Sequence, residues 1–410
     1  MRRTIHRRCS LLPLLSPLIR VGPRRLPAIF CGALFGAIAL VRVVAATSLA
    51  THPETLVIVA PLSWQVIQRS EPSAEDRGAA TVRVVVAGTV LQDAGGVADV
   101  RVLPSTAGAA AGASPESAGP TSAAWRALPL VRSDAAALAP PQASAEVVVA
   151  AGGWYRLEVR WRGRDGATQV AAVEPLAVGE VFLVAGQSYA TNTNDERLHV
   201  TDPGRRVSAF NVETGTWQLA DDPQPAPDRS QNGSIWPPVG DQLARALGVP
   251  IGFVNVAVGG TSTRQWMPTE PLSVRLHQAG RTICRFRAVL WQQGESDVLA
   301  DTPTADYVSR LRQIRDAAVE AWGFAPPWIC ALSTHHPTVY RKPEAEARIR
   351  EAITQVSRLP GFALGPDTDQ LQGPNRGGPQ SRRHFSALGQ RNAAGLWAAV
   401  LLRQLPAAGP

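Results

Sequence analysis

Cysteine is scarce in this sequence, with only four among 410 residues. Cys9 and Cys31 fall in the N-terminal stretch, which leaves Cys284 and Cys330 for the rest of the chain. Two cysteines cannot build a disulfide framework, so a hydrophobic core has to stabilise the fold. No cluster of cysteine and histidine has the spacing of metal ligands, and we expect neither a metal nor an organic cofactor.

Acidic residues are absent before Glu54, whereas the same stretch contains eight arginines: Arg2, Arg3, Arg7, Arg8, Arg20, Arg24, Arg25 and Arg42. These arginines account for the whole formal charge of +8. The remainder is near neutral, which excludes the basic surface that nucleic-acid binding needs. An apolar run at 28–41 is followed by small residues, which predicts a signal peptide or N-terminal anchor over residues 1–50. We expect export to the periplasm, the cell surface or the medium, with membrane contact only if this segment stays uncleaved.

Residues 51–177 have the pattern of antiparallel β-structure, with short β-branched runs separated by turn residues. In segment 154–162 apolar side chains alternate with charged ones, which is typical of a sheet with one face in water. The segment contains no amphipathic helical pattern of useful length. We predict a small antiparallel β-sandwich-like domain here.

Residues 178–410 alternate between strand and helix patterns. The strand candidates are continuously apolar and lie at 180–185, 251–257, 288–292, 327–333 and 361–365. Helices are predicted to start at Thr302-Pro303 and at Pro343, and Ser386 is a suitable N-cap for a final helix. This order predicts a parallel sheet between two helix layers.

Polar clusters follow the predicted strands at the same edge of the sheet, where ligands bind in such folds. They contain Gly186, Gln187 and Ser188, then Gly259 and Gly260, the run 292–297, the run 334–336, and His384 before the final helix. Such a set suits acyl transfer, because a histidine can take the proton of a serine nucleophile. The Ser188 and Gly259 backbone N–H groups and the Gln293 amide would hold the oxyanion. Each residue also has a structural interpretation: Ser188 as an N-cap, Gly259 in a tight turn, Gln293 bonded to loop amides, His384 at the surface.

Four short motifs resemble the SGNH (GDSL-like) hydrolases, and most closely the sialate O-acetylesterase and acetylxylan esterase group. They are AGQS at 185–188, VGGTS at 258–262, WQQGESD at 291–297 and HFS at 384–386. The resemblance implies a flavodoxin-like three-layer domain over 178–410, with Ser188 as nucleophile and His384 as general base. It implies an oxyanion hole of the Ser188 N–H, Gly259 and Gln293. Alanine at position 190 distinguishes the motif from the G-x-S-x-G elbow of the α/β-hydrolases.

The sequence departs from the family pattern at two positions. Tyr189 stands where the group usually has asparagine, and Ser381 stands where the family has an aspartate three residues before the histidine. The orienting acid is then Asp369 or Asp367, or Ser188 and His384 act as a dyad.

Taken together, these residues predict an exported esterase that removes acetyl groups from a carbohydrate. The alternative is a non-catalytic carbohydrate-binding surface protein on the same scaffold, which the two departures would explain. Trp217, Trp236 and Trp266 either stack on sugar rings or are buried.

Overall fold

The computed structural model describes residues 55–73, 76–93, 95–106, 122–133, 141–379 and 383–405. The predicted signal or anchor segment, residues 1–50, and the departure at Ser381 lie outside these ranges. Within them, no helix is both long enough and apolar enough to cross a membrane.

The N-terminal part of the described chain is β-structure. Its strands are β1 (Val57–Ala60), β2 (Val66–Gln68), β3 (Ala79–Ala87), β4 (Val97–Pro104), β5 (Ser122–Ala127), β6 (Val131–Arg132), β7 (Gln142–Ala150) and β8 (Gly152–Arg162). One antiparallel sheet has the order β1, β3, β7, β6, and β4 pairs antiparallel with β8 in another. The apolar face of β8, which includes Leu157 and Val159, shares one core with Val82 and Val84 of β3. Both strands thus contribute to one hydrophobic core, and the antiparallel strands predicted for this region are present.

The remaining strands form one mixed sheet. They are β9 (Thr168–Gly186), β10 (Val207–Asn211), β11 (Thr216–Leu219), β12 (Ile251–Asn255), β13 (Ala288–Gln292), β14 (Trp328–Leu332) and β15 (Phe362–Asp367). The order across the sheet is β11, β10, β12, β9, β13, β14, β15, and all neighbours are parallel except β10 and β11. The five predicted strands β9, β12, β13, β14 and β15 are all present. Numbered along the chain, they have the order 2-1-3-4-5, which is the flavodoxin-like order that was predicted.

Strand β9 connects the two parts of the chain. Its first half pairs antiparallel with β8, and its second half lies between β12 and β13. The domain boundary predicted between residues 177 and 178 falls inside this 19-residue strand. The last residue of β9, Gly186, lies opposite Gln292 of β13, so the segments that follow both strands begin side by side.

Helices cover the mixed sheet on both faces. They are α1 (Trp236–Leu247), α2 (Pro271–Ile283), α3 (Glu295–Leu299), α4 (Thr304–Trp322), α5 (Pro343–Ser357) and α6 (Ala387–Gln404). Phe182 and Val184 of β9 belong to the core that contains α1 and α6, whereas Leu183 belongs to the core of α2, α4 and α5. Successive side chains of a strand point to opposite faces, so the sheet is the middle of three layers. The predicted cap of α6 is confirmed, because Ser386 Oγ accepts a hydrogen bond from Gly389 N at 3.2 Å.

Candidate active site

The turn after β9 presents Ser188 at the edge of the sheet. Gly186 has φ of 129°, and a Cβ there would lie 2.1 Å from Gln292 O, so glycine is required. Gln187 N donates to Gln292 O at 2.9 Å, which fixes the turn against β13. Gln187 occupies the N-cap position of the 3₁₀ turn Ser188–Ala190. Ser188 therefore does not cap a helix, and its side chain is 7% exposed.

Gly259 lies directly beside Ser188. A Cβ at Gly259 would be 3.7 Å from Ser188 Cβ and 3.4 Å from Asp228 Oδ2. The Gly259 N–H, a predicted oxyanion donor, donates to Asp228 Oδ2 at 3.1 Å. The other carboxylate oxygen of Asp228 accepts from Ser230 Oγ at 2.7 Å. Asp228 thus occupies the N–H group that was predicted to hold the oxyanion. The sequence did not point to Asp228, because no motif marks its loop.

Gln293 is held from both ends of its amide. Its Nε2 donates to Asp297 Oδ2 at 2.6 Å and to Thr261 O at 3.1 Å, and lies 3.3 Å from Gln187 Oε1. Its Oε1 accepts from Tyr307 Oη at 3.1 Å. The side chain is fully buried, so its orientation is set by these partners. Its role as an oxyanion donor stays a prediction, and its observed role is to join the segments after β9, β12 and β13.

Asp369 has its hydrogen bonds in the loop after β14. Its carboxylate accepts from Thr334 N, Thr334 Oγ1 and His335 N at 2.6–2.9 Å, and from Arg350 Nη1 at 2.7 Å. Burial opposes its ionisation, but these donors outweigh burial and hold the pKa of Asp369 below its ordinary value. The carboxylate is thus ionised and shapes the loop that precedes His336. Its predicted role as the acid that orients His384 stays a prediction.

His384 is buried against the residue that follows the predicted nucleophile. Its ring centroid lies 4.9 Å from that of Tyr189 and 5.2 Å from that of His336. Burial, together with the nearby cations Arg383 and Arg376, lowers the pKa of His336 to about 4. His336 is therefore neutral at physiological pH and does not oppose a positive charge on His384.

Ser188 and His384 thus lie on segments that pack together. Tyr189, the neighbour of Ser188 in the chain, is the residue through which the two segments meet. Catalytic hydrogen bonds often tighten only when substrate is bound. The pairing of the Ser188 and His384 side chains stays a prediction, which the packing on Tyr189 favours. Across the ranges that the structure covers, no group of three metal-ligating side chains comes together.

The three tryptophans proposed for sugar stacking are buried. Trp236 and Trp266 are inaccessible, and Trp217 is 6% exposed. Trp236 Nε1 donates to Ala190 O at 2.8 Å, and Trp266 Nε1 donates to Thr261 Oγ1 at 3.0 Å. The Trp236 and Trp266 rings therefore support the segments that follow β9 and β12, and none of the three buried rings offers a face to a sugar.

Glu295, in the motif after β13, is a fully buried carboxyl. Its Oε1 accepts from Ser333 Oγ at 2.5 Å, whereas Oε2 has no hydrogen-bond partner among the described residues. Burial is the main cause that raises the pKa of Glu295 from an ordinary 4.5 to about 8. Glu295 is therefore protonated at neutral pH, which spares the site an unpaired buried charge.

This pKa predicts a loss of stability with rising pH. Between pH 4.5 and 8 the unfolded chain releases the Glu295 proton while the folded chain keeps it. The free energy of unfolding then falls by about 1.4 kcal/mol per pH unit from this group. Glu295→Gln, which stays neutral, should remove that slope when denaturant unfolding is measured from pH 4.5 to 8. Equal slopes for wild type and Glu295→Gln would contradict the protonated state.

Comparisons with solved structures give matches at low sequence identity. A carbohydrate acetylesterase from Xanthomonas citri is 18% identical with a TM-score of 0.49, over 86% of this chain and 74% of that one. Another from Sinorhizobium meliloti is 10% identical with a TM-score of 0.38, over 55% of this chain and 100% of that one. An aryl esterase from M. smegmatis is 13% identical with a TM-score of 0.36, over 56% and 100%. A comparison with curated proteins finds no match.

A scan against protein-family models gives a match over part of the chain. Residues 178–356 match the carbohydrate esterase model described as sialic acid-specific acetylesterase. The matched region begins eight residues before Gly186 and contains Ser188, Gly259 and Gln293, whereas His384 lies beyond its end. Over residues 178–356 the chain is thus similar to the carbohydrate esterase family described as sialic acid-specific acetylesterase, the same group that the sequence motifs resemble.

Proposed function

We propose that the protein is an exported carbohydrate O-acetylesterase that acts through Ser188 and His384. The position of Ser188 supports this most. It follows β9 at the point where the strand order reverses, with β12 on one side and β13 on the other. Crevices at such points bind ligands in open α/β sheets. The family match supplies the substrate class, an ester of a carbohydrate.

The proposed reaction has two steps. Ser188 Oγ forms a bond to the acetyl carbon while its proton passes to His384, and the bond from that carbon to the sugar oxygen breaks as the sugar takes the proton. Water then attacks the acetyl-serine and gives its proton to His384. Acetate leaves, and the proton returns to Ser188. No step needs a group beyond the chain, the ester and water.

The proposed reaction creates a negative charge on the oxyanion and a positive charge on His384. The tetrahedral intermediate carries a negative oxygen, and in this proposal the Ser188 and Gly259 N–H groups donate hydrogen bonds to it. The Gly259 N–H donates to Asp228 in the structure. In this proposal the Asp228 carboxylate moves away when substrate binds, so that the N–H can donate to the oxyanion instead. The neutral state of His336 leaves the imidazolium of His384 without a repelling neighbour on that side.

A fluorophosphonate and two acetate esters test the proposal. We expect the protein lacking residues 1–50 to release acetate from an aryl acetate and from an acetylated oligosaccharide, and to be labelled on one serine. Ser188→Ala should lose both the labelling and the acetate release, because the nucleophile is removed. Ser296→Ala is the matched control, since it removes a nearby hydroxyl from helix α3 and should keep both.

Each other outcome has a defined meaning. Glycan binding with no acetate release and no labelling would establish the alternative, a non-catalytic binding protein. An acetylated acceptor sugar in place of free acetate would indicate transfer between sugars. Recovery of the full-length chain inside the cytoplasm, uncleaved and detached from membranes, would contradict export.

A further inference from the structure

Tyr189 links the predicted nucleophile to the predicted base. It directly follows Ser188 in the chain and is fully buried. Its hydroxyl donates to the Arg383 carbonyl at 2.8 Å. That carbonyl belongs to the peptide group between Arg383 and His384. Its ring meets the ring of His384 edge-on, with an interplanar angle of 70°. One side chain therefore contacts both the backbone and the imidazole of the base segment.

The segment after Ser188 also holds the backbone of Phe385, the residue that follows His384. Asn194 Oδ1 accepts from Phe385 N at 3.2 Å, and Asp195 N donates to Phe385 O at 3.0 Å. The His384 carbonyl itself accepts from Gly377 N at 3.0 Å. Hydrogen bonds thus hold the backbone on both sides of His384, and the Tyr189 hydroxyl makes one of them on the preceding side.

Arg376 fixes the Tyr189 ring in turn. Its guanidinium carbon lies 4.6 Å from the centroid of the Tyr189 ring and 4.5 Å from that of Phe385. The same guanidinium donates to the carbonyls of Leu371 and Thr368 at 2.7 Å, so it cannot rotate away. A buried cation over an aromatic face is attracted by the ring electrons, which keeps Tyr189 in one rotamer.

From these contacts we propose that Tyr189 is a positioning residue for His384, which sets the direction of the imidazole through the Arg383 carbonyl and the edge-on ring contact. The inference rests on the proposed function. Rotation of the Arg383–His384 peptide plane would swing the His384 side chain, and a hydrogen bond on the carbonyl resists that rotation. Burial raises the pKa of Tyr189, so its hydroxyl remains a donor throughout the working pH range. A misplacement of about 1 Å can lower a catalytic rate about 100-fold, so such positioning is measurable.

Removal of the hydroxyl alone separates positioning from packing. Tyr189→Phe keeps the ring and removes only the hydroxyl. We expect kcat for an aryl acetate to fall about tenfold with KM unchanged, because the substitution misaligns His384 but does not alter substrate binding. Tyr189→Leu also removes the ring contact with His384, and its kcat should be about 100-fold below that of wild type. Tyr340→Phe is the matched control, since its hydroxyl donates to the Thr334 carbonyl in the same region and not to the base segment. Thermal melting should show that Tyr189→Phe remains folded.

A variant without His384 tests whether Tyr189 acts through that histidine. In His384→Ala, adding Tyr189→Phe should cause no further loss of kcat, because no imidazole remains to be positioned. A further tenfold loss in that background, or wild-type kcat in Tyr189→Phe, would overturn the inference. If wild type hydrolyses the ester and Ser188→Ala does not, the proposed function stands whichever result Tyr189 gives.

Discussion

Ser188→Ala, His384→Ala and the double variant are each expected to lower kcat/KM for an aryl acetate by about 10⁴- to 10⁶-fold, and by similar amounts. The reason for the equal losses is that nucleophile and base act as one unit. A serine without its base is a poor nucleophile, and a base without the serine has no proton to take. The double variant should therefore lose little more than either single variant, although independent effects would multiply.

Residual hydrolysis by all three variants has a common origin. The backbone N–H groups of the site and the binding of the ester do not depend on either side chain. His277→Ala is the control, since this histidine of helix α2 contacts Ser273 and lies in no segment that packs on Tyr189. Progress curves over a wide range of enzyme concentration would measure these rates. Losses that multiply in the double variant, or a His384→Ala enzyme within tenfold of wild type, would contradict the shared role.

The sheet could be predicted from the sequence because its signal is local. Strands covered on both faces are continuously apolar, and β9, β12, β13 and β14 are buried along their parallel segments. Parallel strands end at one edge, so the strand pattern alone places the polar residues that follow them together. Strands β10 and β11 were missed. Strand β11 is only four residues long and half of its residues are exposed, whereas β10 is buried but only five residues long.

The contacts within the site could not be predicted, since they join segments far apart in the chain. The Tyr189 hydroxyl meets a carbonyl 194 residues away, and Asp228 meets Gly259 across 31 residues. Neither contact leaves a periodic pattern or a motif. The burial of Trp236 and Trp266 could not be predicted either, because the position of a tryptophan in the sequence between two strands does not show which way its ring points.

Glu180→Ala is expected to lower the free energy of unfolding by about 3 kcal/mol, because it leaves the buried Arg69 and the partly buried Arg287 without their shared partner. Glu180 is inaccessible in β9. Its carboxylate accepts from Arg69 Nε at 2.7 Å, from Arg287 Nε at 2.7 Å and from Gln68 Nε2 at 2.8 Å. Denaturant unfolding would measure the change. Asp306→Ala is the control, since it removes an exposed ion pair with Arg310 and should cost less than about 1 kcal/mol.

The same variant tests whether the two parts of the chain fold together. Arg69 and Gln68 belong to the N-terminal β region, whereas Arg287 immediately precedes β13 of the parallel sheet. Glu180 lies between them, next to the point where β2 pairs with β9 through Gln68 and Gly179. With Glu180 present, we expect one cooperative unfolding transition. In Glu180→Ala the coupling is weakened, so far-UV and tryptophan signals should separate into two transitions. Coincident transitions in this variant, with a loss below about 1 kcal/mol, would show that packing alone joins the two parts.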